Sequence, residues 1–407
     1  MLGRSIDRRR LLISSATLAA GSIFTGPLAS RALAQSAGRD DLKIGMLTSL
    51  SGPFAALGES MRAGFQLFLQ STGGSMAGRP VRLIIDDDHA KPDEGVRKVR
   101  KLLDQDGVDI VCGVVHSGVA LAIRDVLASA NALTFISNGS ANNLARKAAS
   151  RYIFRPTKTN WMLGSTAGTW AAEKVSKKNA VTIAADYAAG REYVEDFIGT
   201  YKAGGGQVAR QLWTPLGTTD FAPLLTDIAI SKPDFVYAFF AGSDAVRFLQ
   251  QWQDYRLAGR IPLIGTGAVF DQEDVLPAVG PGIKGAINAS QQSPTAPAAG
   301  VQRFVELYRR AHGRLPGEMS TSGYATGQVI AAAVEAMQGD VSIKDKVRDA
   351  VLALDLETAY GPMRFDPSNN QAILDIYMNE VRIGADGSPV NQVIHTYPKV
   401  RDPGDRA

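Results

Sequence analysis

From Asp40 onward, short apolar runs alternate with longer stretches whose apolar residues recur every three or four positions. The runs predict strands covered on both faces, and the longer stretches predict amphipathic helices. A strand is expected over residues 42–50, breaking at Ser51-Gly52-Pro53, and Met61, Phe65, Phe68 and Leu69 mark one face of the helix that follows. Residues 81–85 predict the next strand, and Pro92 opens a helix carrying Val96, Val99, Leu102 and Leu103. A strand over 110–115, a helix over about 117–130 and a strand over 133–136 complete a first series, which ends in Ser137-Asn138-Gly139-Ser140. Strands that alternate with helices in this way predict βαβ units and a parallel sheet.

The rhythm restarts after Tyr152-Ile153-Phe154-Arg155-Pro156. Helices are expected over 161–177, after Gly190, after Asp220 and over 244–255, with strands over 180–185, 208–213, 235–240 and 261–264. Two βα series in one chain predict an α/β protein of two Rossmann-like lobes, each with a parallel central sheet. Beyond Gly285 the pattern changes. Residues 286–289 lead through a Pro/Ala/Gln segment (291–300) into three helices, near 302–312, 321–338 and 344–354. These helices bring no strand series of their own, so they must cover an existing sheet. Residues 372–382 and 390–397 then alternate like an antiparallel hairpin around Ala385-Asp386-Gly387.

The first 34 residues do not fit this scheme. Arg8-Arg9-Arg10 precedes an uncharged, small-residue stretch that closes on Ala32-Leu33-Ala34, the pattern of a twin-arginine-type export signal (1–34) cut before Gln35. The expected product is a periplasmic protein, exported and soluble after cleavage. That segment carries five Arg and one Asp, so of 44 Lys+Arg and 40 Asp+Glu in the chain, 39 of each remain beyond it. The body is formally neutral, which removes the electrostatic basis for binding nucleic acid or an anionic membrane. Cys112, the one cysteine, sits among apolar residues and is expected to be a buried core residue.

In open α/β sheets, ligands bind beyond the carboxyl ends of the strands, where loops feed helix N-termini. Here those ends read Ser49-Leu50-Ser51-Gly52, His116-Ser117-Gly118 and Asn138-Gly139-Ser140. Small hydroxyl, amide and glycine residues offer donors and close backbone approach, which suits a carboxylate better than covalent chemistry. Tyr187, at a strand end of the second series, is a further candidate contact. Enzyme signatures are weak: the chain has no G-x-S-x-G elbow, no H-E-x-x-H and no P-loop. His116 and Ser117 are adjacent and lack an orienting acid, so a nucleophile with its base is not expected there. Asp86-Asp87-Asp88-His89 points to alternate sides of a strand end and predicts no metal site. Trp161, Trp170, Trp213 and Trp252 are expected to be packing aromatics.

Taken in order, several segments resemble the branched-chain amino-acid type solute-binding proteins of ABC importers, a type I periplasmic binding fold. They are Lys43-Ile44-Gly45 through Ser51-Gly52-Pro53, Gly58 with Gly64, Asp86-Asp87, Ser117, Asn138-Gly139-Ser140-Ala141, Asp186-Tyr187, Thr219-Asp220-Phe221, Pro233 through Tyr237, Gly323-Tyr324 and Gly361-Pro362. The resemblance implies a monomeric clamp of two lobes joined by three hinge crossovers, near 156–159, 287–292 and 358–363. It closes on a small ligand and docks on a membrane permease. Lobe 1 would comprise 35–157 with 289–360, and lobe 2 would comprise 158–288 with 361–407. By the same resemblance, Ser117, Asn138, Gly139 and Ser140 hold the ligand carboxylate; with Ser51, His116, Tyr187 and Gly267 they make up the expected ligand contacts, with no catalytic residue, metal or cofactor expected.

One departure bears on the ligand. Amino-acid binders of this family carry an acid after the strand matching 261–265 to pair the ligand ammonium, and this chain reads Thr266-Gly267-Ala268 there. A desolvated ammonium without a counter-charge costs several kcal/mol. The expected solute is therefore a carboxylate or amide without an α-amino group, aromatic acids included, with Asp271 the alternative partner for an amino acid. An exported α/β enzyme such as an amidase, and a ligand sensor of the same fold, are the competing functions.

Overall fold

The computed structural model describes residues 40–176 and 178–406. The expected export signal lies outside the described residues. Two sheets form the frame. The first runs β2-β3-β1-β4-β5-β6, built from β1 (Leu42–Thr48), β2 (Ser75–Met76), β3 (Arg79–Asp87), β4 (Ile110–Gly113), β5 (Thr134–Ile136) and β6 (Ile153–Phe154). All its pairings are parallel except the two-residue β2 on β3. Helices α1 (Ala55–Ser71), α2 (Pro92–Asp104) and α3 (Ser117–Ser129) connect these strands. β1 and β4 are apolar almost throughout and buried on both faces, as strands sandwiched between helices must be. Cys112 is fully buried in β4, where its apolar surroundings push the thiol well above the usual range.

After β6 the chain enters α4 (Asn160–Lys174) and builds a second sheet of nine strands. Its parallel centre is β7 (Ala180–Ala185), β8 (Val208–Thr214), β9 (Phe235–Phe239), β10 (Leu263–Thr266) and β11 (Ile287–Ser290), spaced by α5 (Ala188–Ala203), α6 (Ala222–Ser231) and α7 (Ser243–Asp254). β10 starts two residues later than the pattern predicts because Pro262 has no N–H to give the ladder, although its carbonyl accepts from Val236 N at 2.9 Å. The three later helices are α8 (Ala299–His312), α9 (Glu318–Ala336) and α10 (Lys344–Leu352). The hairpin of β14 (Ala372–Ile383) and β15 (Pro389–Val400) joins β11 antiparallel. The sequence pattern did not reveal β12 (Asp355–Thr358) and β13 (Gly361–Phe365), which extend the same sheet. They meet within the 358–363 segment in which the resemblance placed a crossover.

Both sheets repeat one strand order: β3-β1-β4-β5 in the first and β8-β7-β9-β10 in the second. In each, successive connections leave the first strand in opposite directions, creating a crevice at the strand carboxyl ends. The crevices lie after β1 and β4 in one lobe and after β7 and β9 in the other.

Helix α9 covers the first lobe by packing along α1. The axes approach so closely that a Cβ at Gly64 would lie 1.9 Å from the Ser320 carbonyl oxygen, and one at Gly323 would lie 2.0 Å from that of Met61. Mutual glycines let backbone meet backbone, and this sets where the N-terminus of α9 emerges. Gly64→Ala is expected to lower the free energy of unfolding by about 1–3 kcal/mol or more through overpacking. Gly199→Ala, in α5 with nothing within 4 Å of the added carbon, is expected to be neutral or stabilising by up to about 1 kcal/mol. Urea titrations of the two variants check the contrast, and equal losses would refute it.

Candidate functional site: a cavity between the two switch points

The two crevices face each other across a cavity of about 30 Å³. Its walls come from loops following strands in both sheets: Phe54 and Leu57 after β1, Val115 and Ser117 after β4, and Asn138 and Ser140 after β5. From the other lobe come Tyr187, Ala189 and Tyr193 after β7, Phe239 and Ala241 after β9, and Ala268 after β10. Lys158 and Asn160 enter from the crossover that follows β6, and Glu318 and Met319 from the start of α9. A space this small admits ordered water but not a six-membered ring, so a solute enters only when the lobes part or wall side chains move. A larger depression of about 280 Å³ lies at the start of β10, between Trp252 and Ala286, at the edge opposite the switch points.

One wall is polar. Ser117 begins α3, and its hydroxyl oxygen accepts from Ser140 N at 3.1 Å, leaving its own proton for another acceptor. Asn138 donates through Nδ2 to the Val115 carbonyl (2.9 Å), which aims its Oδ1 at the cavity to accept from Lys158 Nζ at 2.5 Å. Lys158 Nζ also donates to Glu318 Oε1, and both side chains are only 2–3 % exposed. Glu318 Oε2 is buried and has no hydrogen-bond partner among the described residues. It lies against Gly267, where an added Cβ would sit 3.0 Å away and φ is +52°.

The opposite wall is aromatic. Tyr187 lies 6.0 Å from Phe54 and 6.2 Å from Phe239, centroid to centroid, and Phe239 packs on Tyr193 at 4.3 Å. His116 stands behind this wall, 5.0 Å from Tyr187 and 5.5 Å from Phe54. Its Nδ1 accepts from Val119 N at 3.2 Å and caps α3, so Nε2 carries the ring proton. Burial pulls the imidazole down to about 4, which keeps it neutral.

Of the residues expected from sequence, Ser117, Asn138, Ser140 and Tyr187 line the cavity. Four others take different places. Gly139 spends its N–H on the Val114 carbonyl (2.8 Å) and packs against Ala120. Ser51 turns outward to His89, with Oγ 2.6 Å from Nδ1, because the chain reverses at Gly52 and presents Phe54 inward. Gly267 backs the Glu318 carboxylate, and His116 supports Tyr187. Asp271 is buried and does not line the cavity. Its carboxylate accepts from the N–H groups of Glu318 (2.6 Å), Asp274 (2.8 Å) and Glu273 (2.9 Å), and burial pushes it up to about 6. The acid in the wall is Glu318, which sequence reasoning missed together with its partner Lys158. The only hint of Lys158 was its place in the crossover after Pro156.

The Asp86–Asp88 carboxylates diverge. Asp86 holds Lys98 and Lys101, Asp87 accepts from Leu50 N, and Asp88 accepts from Ser49 Oγ at 2.6 Å. A second network ties the crossovers together behind the cavity. Gln291 accepts through Oε1 from Lys158 N (2.8 Å) and donates through Nε2 to Tyr360 OH (2.9 Å) and Thr157 Oγ1 (3.1 Å).

The neutral, capping His116 has a consequence for acid stability. Its folded value lies below the unfolded 6.5, so the unfolded chain protonates first and stability is lost as pH falls from 6.5 toward 4. His116→Asn keeps a capping side chain and removes the titration. The stability advantage of the natural protein over this variant is expected to shrink by up to about 3 kcal/mol between pH 7 and pH 4. Urea unfolding at several pH values measures it, and a constant difference would contradict the assignment.

The comparisons with known proteins match this geometry. The family model for periplasmic binding proteins matches residues 41–388. Leu/Ile/Val-binding protein homolog 6 of Brucella melitensis is 28% identical over 92% of this chain and 96% of its own length. A solute-binding protein of an ABC transporter from R. palustris, solved in complex with benzoate, superposes with a TM-score of 0.84 at 30% identity, covering 89% of this chain and 98% of that one. Another, from Rhodopseudomonas palustris BisB5 with 3,4-dihydroxybenzoic acid, superposes at 0.85 with 28% identity, covering 90% and 99%. With the matched model spanning most of its length and its site set between two facing α/β lobes, the chain belongs to the periplasmic binding protein family.

Proposed function

We propose that this protein is the solute-binding component of an ABC importer and that its solute is an aromatic monocarboxylate, captured in the periplasm by lobe closure and passed to a membrane permease. The observation that carries the reading is the division of the cavity into an end with ammonium and hydroxyl donors (Lys158 and Ser117, held by Asn138 and Ser140) and an aromatic end (Phe54, Tyr187, Tyr193, Phe239). Rings prefer offset or edge contacts with other rings, and a carboxylate needs donors in fixed positions. A benzoate-like molecule presents the two in the same order, and the structural relatives were solved with benzoate and 3,4-dihydroxybenzoic acid.

The clamp is assigned as a monomer, with lobe 1 comprising 35–157 and 289–360 and lobe 2 comprising 158–288 and 361–407. The knot of Gln291 with Thr157, Lys158 and Tyr360 supports hinges near 156–159, 287–292 and 358–363. Closure buries the solute, and the permease reads the closed form. No chemical step is required, so Ser117 and His116 serve as donor and support.

A second reading rests on Glu318. A zwitterionic amino acid inserted into the ion pair would meet Lys158 with its carboxylate and Glu318 with its ammonium. Calorimetry separates the two. Benzoate and 4-hydroxybenzoate are expected to bind with Kd below about 1 mM and leucine and valine not to bind. Submillimolar leucine binding with no response to the aromatic acids would reject the aromatic reading.

A further inference from the structure

We infer that Lys158 is the residue that selects the solute's carboxylate, and that Glu318 is an internal stand-in which the carboxylate displaces from Lys158 on binding. The inference rests on the aromatic-carboxylate reading above and names the charge that enforces it.

Lys158 Nζ is buried at the cavity wall, and the acceptors it holds are Asn138 Oδ1 at 2.5 Å and Glu318 Oε1. A lone ammonium in this setting would carry a heavy desolvation cost, so Lys158 needs an anion against it at all times. Glu318 supplies that anion with half its hydrogen-bonding capacity unused: Oε1 meets Lys158 while Oε2, also buried, meets no donor. A carboxylate group designed only for structure would be expected to satisfy both oxygens. Ser117 lines the same cavity and keeps a hydroxyl proton for an incoming carboxylate, while Asn138, its Nδ2 committed to the Val115 carbonyl, holds the Lys158 ammonium through Oδ1.

Space leads to the same conclusion. The cavity of about 30 Å³ takes a ring and a carboxylate only after the lobes part or wall side chains move, and Glu318 is the wall side chain that occupies Lys158. Both backbones are held, Glu318 N–H by Asp271 (2.6 Å) and Lys158 N–H by Gln291 Oε1 (2.8 Å), so what moves is the Glu318 side chain, which on the first turn of α9 can swing without disturbing the Gly64–Gly323 helix contact. Two carboxylates cannot share one buried ammonium without a like-charge cost, so solute and Glu318 compete. Selectivity follows: a neutral amide of the same shape gains nothing from Lys158 and has no means of displacing Glu318.

Calorimetric titration of the natural protein and three variants with benzoate and with benzamide tests this. Glu318→Gln removes the competitor and is expected to tighten benzoate about tenfold or more. Lys158→Met is expected to weaken benzoate at least about thirtyfold while changing benzamide less than about threefold. Because Lys158→Met strands a buried Glu318 charge and so threatens folding, the double variant Lys158→Met/Glu318→Gln carries the same prediction with neither charge left unpaired. Benzoate binding by the natural protein with the double variant within about threefold of it, or a Glu318→Gln variant that binds benzoate more weakly, overturns the inference and leaves the proposed function standing. If benzoate and other aromatic acids fail to bind the natural protein while leucine binds, both fall together.

Discussion

The buried pairing of Lys158 with Glu318 is where the separate parts of this chain are made to agree. Lys158 comes from the crossover that leaves the first sheet, Glu318 from the first turn of a helix that returns to it about 160 residues later, and Asn138 from the end of β5. Removing one partner of a buried pair leaves an uncompensated charge, at a cost of about 3–5 kcal/mol. The positions of the crossover, the β5 loop and α9 are therefore coupled. Any arrangement that misplaced one of them would strand an ion in the core.

Each member is held by machinery of its own. The Gly64–Gly323 contact fixes the axis of α9 against α1, and the loop after β10 fixes its start. There Asp271 accepts the Glu318 N–H and Glu273 accepts the Gly317 N–H at 3.1 Å, so carboxylates from one lobe cap a helix that packs on the other. Lys158 is tied through its backbone to Gln291, which also holds Tyr360. Asp274, hydrogen-bonded to Ser60 at 2.9 Å across the same junction, is pushed up to about 8 by burial and by Asp271 and Glu273. The junction thus concentrates carboxylates that one helix N-terminus and Arg314 must balance.

The cavity separates its two chemistries by lobe. Most polar contacts come from loops of the first sheet and from the crossover, and most rings come from loops of the second. A solute bound to the polar wall of an open clamp would meet the aromatic wall only on closure. Apolar burial then rewards the closed state, and the charged contact has already set the orientation.

Strand and helix identity was legible because it rests on local periodicity. The buried runs of β1, β4, β7 and β9 and the amphipathic faces of α1 and α2 repeat at the spacing their surroundings demand, and two such series imply two lobes. That Ser117, Asn138, Ser140 and Tyr187 line the cavity was legible because strand carboxyl ends are where a parallel sheet opens. The edge strand β12, with charged Asp355 and Glu357, was not legible because an edge strand buries little, and β13 was not because its five residues, opening on Gly361-Pro362, leave only Met363 and Phe365 as an apolar signal. Nor was the exclusion of Ser51 and Gly139 from the wall, which follows from a chain reversal at Gly52 and a hydrogen bond to Val114. Above all, the meeting of Lys158 with Glu318 and the diversion of Asp271 to a helix cap belong to tertiary structure alone. The sequence determined which segments form the two sheets because that information lies within a few neighbouring residues. Which charges face one another across the cleft depends on how closely two distant helices pack, and only the folded chain settles that.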